Sequence, residues 1–142
     1  MRILILVTTL VLGACSRYDE LRAVAAYNDA ANKTFPQNYK SEILTLLRTY
    51  LNDPTQVRDA FISDPAIMTI DGAGRYAVCV RYNAKKSNGQ YAGSKDGLMT
   101  FRDGRLDRIL DPSRNPGDAR EIRQQCKDIA VKPFPELEHL SR

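Results

Sequence analysis

The run Arg75-Tyr-Ala-Val-Cys-Val-Arg-Tyr-Asn83 constrains the fold most strongly. Its β-branched and aromatic residues favour a strand, glycine-containing turns bound it, and Cys79 sits at its centre. Alternation puts Tyr76, Val78 and Val80 on one face and Ala77 and Cys79 on the other. Both faces carry apolar side chains, so both need cover, as in the central strand of a sheet.

The flanking turns extend this strand into a meander. Asp71-Gly-Ala-Gly74 separates Ala66 to Ile70 from the central strand, Asn88-Gly89 separates it from Gln90 to Arg102, and Asp103-Gly104 introduces Arg105 to Leu110. The expected architecture is α+β, with a four-stranded antiparallel meander, N-terminal helices and a C-terminal helix packed on the sheet. Treating Asn88-Gly89 as a two-residue turn makes the numbers of paired residues sum to 177. Tyr76 then opposes Phe101, Val78 opposes Met99, Cys79 opposes Leu98 and Arg81 opposes Asp96. Apolar meets apolar and charge meets counter-charge, while Gly93 and Gly97 predict a bulge or bend in the third strand.

Helical spacing places a helix over Glu20 to Lys33, ended by Phe35-Pro36, and a second from Asn38 or Ser41 to Leu51. The second carries a wide apolar face of Ile43, Leu44, Leu46, Leu47, Tyr50 and Leu51. Asp53-Pro54-Thr55-Gln56 reads as a capping box with proline at the first position, which predicts a short helical turn to Ala60. Asn115-Pro116-Gly117-Asp118 reads as another helix start, with Ile122, Cys126 and Ile129 on one buried stripe. The tail from Pro133 to Leu137 is expected to lie extended on the domain.

The first residues have a different character. Met1-Arg2 precedes a ten-residue apolar stretch, Ile3 to Leu12, the length of a signal-peptide core and too short to span a hydrocarbon layer of roughly 30 Å. Leu12-Gly13-Ala14-Cys15 resembles the lipobox of bacterial lipoproteins. The resemblance covers residues 1 to 15 and implies cleavage before Cys15, with acyl chains on that residue. A plain secretory signal is the other reading. Several acyl chains anchor durably, since each buried methylene contributes roughly 0.8 kcal/mol and one chain alone is marginal. The implied division is a signal peptide over 1–14, a lipid-anchored tether over 15–19 and one α+β domain over 20–142. Ser16 after the cysteine implies an outer-membrane location facing the periplasm. With Cys15 assigned to lipid and the chain exported, Cys79 and Cys126 remain as a pair in an oxidising compartment, and a disulfide between them is expected over two free thiols.

Charge excludes one class of partner. The formal charge is +4, but basic and acidic residues alternate: residues 96 to 132 hold eight basic and seven acidic side chains. A nucleic-acid interface needs a single-sign stripe, so none is expected. No motif carries recognisable catalysis. The single histidine, His139, has no second histidine or Cys-x-x-Cys beside it, and no metal or cofactor is expected. Asp53, Asp71, Asp103 and Asp118 fall at caps and turns, where carboxylates have structural work.

The segment Tyr82 to Gly93 is less fully explained by local structure. With Cys79, it carries Asn83-Ala84-Lys85, Gly89 and Tyr91-Ala92-Gly93, and Asp53-Pro54 lies upstream. This pattern resembles several small, uncharacterised exported bacterial proteins over residues 40 to 101, and implies a fold without a substrate. A tyrosine among Lys and Asn can stack on a sugar or grip a protein edge. The expectation is a non-catalytic, lipid-anchored binding or accessory module of the cell envelope. Arg81, Lys85, Lys86 and Tyr91 would contact an envelope protein or peptidoglycan. The alternatives are a structural subunit of an envelope assembly and, behind it, a cell-wall-acting enzyme or inhibitor.

Overall fold

The computed structural model describes residues 8–141, with side chains from residue 17 onward. The first half of the expected signal peptide and the Cys15 side chain therefore lie outside the described residues. The elements are α1 (Thr8–Asn32), α2 (Tyr39–Tyr50), β1 (Asp53–Ser63), β2 (Ala66–Ile70), β3 (Ala73–Lys85), β4 (Lys95–Arg102), β5 (Arg105–Leu110), α3 (Asp118–Cys126), β6 (Val131–Pro133) and α4 (Pro135–Glu138). The fold is α+β, and its antiparallel sheet has six strands where four were expected. Their order is β5-β4-β3-β1-β6, with β2 also paired to β3.

The expected meander is present as β2 to β5. Asp71-Gly72 and Asp103-Gly104 make tight turns with positive φ at both central residues, the backbone that turns a hairpin with the twist of its strands. The two added strands come from segments that read otherwise. Asp53 to Ala60, expected as a helical turn, belongs to β1; Val131 to Pro133 forms β6, and the tail from Pro133 to Leu137, expected to lie extended, turns into α4 from Pro135 onward. Asp53 still caps locally, because its Oδ1 accepts the Thr55 N–H at 3.0 Å. Gln56 and Asp59, at φ 57° and 52°, then break the alternation of β1, so burial falls at Val57, Ala60 and Ile62 instead of at every second residue. A strand without period two carries no strand signal in its sequence.

β1 and β2 share one edge of β3. β1 pairs with residues 80 to 85 and β2 with residues 73 to 77, leaving a gap at Asp64-Pro65. The Cys79 N–H faces that gap and donates to Ser63 Oγ at 2.9 Å.

Helices cover both faces. Val78, Val80 and Tyr82 of β3, with Met99 and Phe101 of β4, pack under Ile43 and Leu47 of α2 and under Phe134, Leu137 and Leu140 around α4. Ala77, Cys79, Leu98 and Leu110 pack under Ile122 and Cys126 of α3. Cys79 and Cys126 are joined as a disulfide with Cα atoms 5.8 Å apart, stapling α3 to the central strand. Helix α3 begins later than its sequence signal: Asn115 Oδ1 accepts the Gly117 N–H, and regular helix starts at Asp118.

The tether expected over 15–19 is helical, continuous with α1, since no proline or glycine interrupts the chain between residues 14 and 32. Among the described side chains of α1, docking is at the C-terminal end. Ala31 is buried, the Asp103 N–H donates to the Ala31 carbonyl at 2.7 Å, and the Tyr27 hydroxyl donates to Asp103 at 3.2 Å. Upstream, Tyr18, Leu21 and Val24 stand exposed. No helix of the described residues is long and apolar enough to cross a membrane.

Candidate functional site

The β3–β4 hairpin keeps the expected register by a different route. Ala77 to Tyr82 pair with Thr100 to Lys95, and each pair sums to 177, as a two-residue turn requires. Nearer the tip Lys85 pairs with Tyr91, a sum of 176. The turn holds three residues, closed by Lys86 N–H donating to Gln90 O at 2.8 Å and Gly89 N–H to Lys86 O at 3.0 Å, with Gly89 at φ 80°. One extra residue near Gly93 restores the register: Gly93, at φ 89°, donates its N–H to Asn83 Oδ1 at 3.0 Å.

Tyr91 braces this hairpin against β1. Its hydroxyl donates to the Gln56 carbonyl at 2.8 Å, and the Arg58 guanidinium lies 4.1 Å from its ring centre. Lys85 Nζ sits 5.5 Å from the same ring and donates to Gln56 Oε1 at 2.5 Å. The geometry therefore gathers Lys85, Tyr91, Arg58 and Gln56 on one platform. Arg81 lies four residues down β3, held by two hydrogen bonds to Asp96 at 2.8 and 3.3 Å that raise its pKa. Lys86 lines an adjoining cleft with Lys85, Lys95 and Arg114. Arg58 and Gln56 escaped the sequence reading because their segment read as helix.

The cleft lies where the end of α2, the tip of the β3–β4 hairpin and the 111–114 loop meet, with a volume of about 70 Å³. At its floor Asp111 is buried and accepts from the Ser113 N–H at 2.8 Å, the Ser113 hydroxyl and the Tyr50 hydroxyl at 2.9 Å. Lys95 Nζ donates to Ser113 Oγ at 2.9 Å. Arg114 donates to the Tyr50 carbonyl at 2.7 Å and stacks 4.0 Å from the Tyr50 ring centre. Burial, then the bond to Asp111, pushes the Tyr50 hydroxyl up to about 12. Burial pushes the Asp111 carboxyl up, but the Ser113 and Tyr50 donors and the Lys95 charge outweigh it and hold it below the usual carboxylate range.

Ser113 Oγ donates to the Asp111 carboxylate and accepts from the Lys95 ammonium. The carboxylates assigned to caps and turns have such partners: Asp71 binds Arg108, Asp103 binds Tyr27, and Asp118 binds Asn115 and the Asp111 N–H. His139 sits at the end of α4 with Nδ1 against the Pro135 carbonyl at 2.8 Å. Among the described residues no group of three His, Cys, Asp or Glu side chains converges to hold a metal. Neither protein-family models, nor curated proteins, nor solved structures match this chain.

Proposed function

We propose that the protein is a lipid-anchored binding module of a bacterial cell envelope, held at the outer membrane through Cys15 and facing the periplasm, with no catalysis of its own. The observation that carries the binding role is the Tyr91 brace. A hairpin tip fixed to β1 by the Tyr91–Gln56 bond and the Arg58 stack presents Arg58 and Lys85 in set positions, so a partner need not freeze them. The partner chemistry that suits this platform is an acidic edge of an envelope protein or the carboxylate-bearing peptides of peptidoglycan. Envelope placement draws on the lipobox-like residues 12 to 15, and the Cys79–Cys126 bond accords with an oxidising compartment.

Cross-linking in intact cells followed by mass spectrometry tests this. Arg58→Ala/Lys85→Ala is the informative variant, since replacing Tyr91 would also release the hairpin from β1. Specific proteins or peptidoglycan fragments lost with that variant support the reading; full retention by it, with loss in Cys15→Ser, would reduce the role to proximity at the membrane.

A second reading, a structural subunit of an envelope assembly, is favoured by α1. Tyr18, Leu21 and Val24 are 69%, 68% and 57% exposed on a helix that docks by one end. Sedimentation as a monomer with no binding of a hydrophobic dye would count against it.

A further inference from the structure

We propose that the cleft between the end of α2, the tip of the β3–β4 hairpin and the 111–114 loop binds a phosphate group through Lys86, Lys95 and Arg114. Four cations, Lys85, Lys86, Lys95 and Arg114, line a space whose one buried carboxylate, Asp111, already accepts three hydrogen bonds from Ser113 and Tyr50. The lining therefore keeps a net positive charge, and the oxygens of its one acid are engaged by Ser113 and Tyr50. Lys95 and Arg114 are each oriented by a bond to the wall, to Ser113 Oγ and to the Tyr50 carbonyl, and each retains further N–H donors for a ligand. Donors arriving from the hairpin turn, the start of β4 and a loop suit the several oxygens of a phosphate. At about 70 Å³ the cleft has room for a small polyatomic group. The cleft shares Lys85 with the Tyr91 platform, where that lysine reaches Gln56, but Lys86, Lys95 and Arg114 belong to the cleft and Arg58 to the platform, so either reading can hold while the other fails.

Thermal unfolding of the full chain in detergent, in sodium phosphate and in sodium chloride of equal ionic strength, tests the site. Phosphate should raise the midpoint where chloride does not. Lys86→Ala/Lys95→Ala should lose that response, and Arg58→Ala should keep it. Equal responses to both salts, or a phosphate response retained by Lys86→Ala/Lys95→Ala, would overturn the proposal. Should the double variant not fold, Lys86→Ala alone decides: a phosphate response weakened several-fold supports the site and an unchanged one removes it. Glycerophosphoglycerol, a phospholipid headgroup without its chains, separates the sources. Tighter binding than inorganic phosphate points to a lipid headgroup, and weaker binding to a free phosphate.

Discussion

Ser63 carries the junction of β1 and β2 on a single hydroxyl. It is fully buried, accepts the Cys79 N–H and donates to the Asp64 carbonyl at 3.0 Å. Ser63→Ala should leave that N–H buried and unpaired, lowering stability by about 1–3 kcal/mol in denaturant titration. Tyr50 and Asp111 form a second point of leverage, and their shifts work at opposite ends of the pH scale. Tyr50 holds its proton more tightly folded than unfolded, so its contribution is full below its ordinary value of 10.0 and is lost as pH rises toward about 12. The Asp111 carboxyl is depressed from 3.8, so its contribution is present above that value and is lost as pH falls below it. Tyr50→Phe should flatten the alkaline loss measured by thermal unfolding across pH, and Asp111→Asn the acid loss. A Tyr50→Phe curve that still falls as steeply between pH 10 and 12 would remove Tyr50 as the cause.

At the scale of elements, two turns of similar backbone stand in different surroundings. Gly72 and Gly104 have φ of 75° and 71°, which cost a residue with a Cβ roughly 1–2 kcal/mol. A Cβ on Gly72 meets open space, whereas one on Gly104 would lie 3.2 Å from the Phe35 carbonyl and 3.3 Å from Thr34 Cγ2. Both alanine variants should lose stability. Gly104→Ala should lose more and should also speed hydrogen exchange at the Asp103 amide, which binds the end of α1. Equal exchange in the two variants would mean that α1 does not depend on this turn. The β3–β4 hairpin shows why a register can be legible when its turn is not. Its three-residue turn and the extra residue near Gly93 are errors of opposite sign, and side-chain pairing between Val78 and Met99 or Arg81 and Asp96 selected their net result.

Across the whole molecule, the disulfide joins two elements that no strand pairing connects. In the chain-entropy model a closed loop of 47 residues contributes about 4 kcal/mol. Cys79→Ala/Cys126→Ala should approach that loss in denaturant titration, and alkylation of the native protein without reductant should find neither cysteine free. Anchoring is tested at the same scale: Cys15→Ser should move the protein from the membrane to the soluble fraction and abolish palmitate labelling. Persistence at the membrane without Cys15 would shift attention to the exposed apolar residues of α1.

The amino-acid sequence determined the central strand, the β2 to β5 meander and its register, the α2 helix and the apolar stripe of α3, because each is written in local periodicity and turn chemistry. The cysteine pair was legible through the lipobox resemblance, which set Cys15 aside. Tertiary structure alone decided β1 and β6. Positive φ at Gln56 and Asp59 erased the alternation of β1, and the three residues of β6 are strand only because the β1 edge lies beside them. It also decided both candidate sites. Arg58 meets Tyr91 across 33 residues of chain, and Lys95 meets Ser113 across 18, contacts that no local pattern encodes and that exist only once the sheet has brought those segments together.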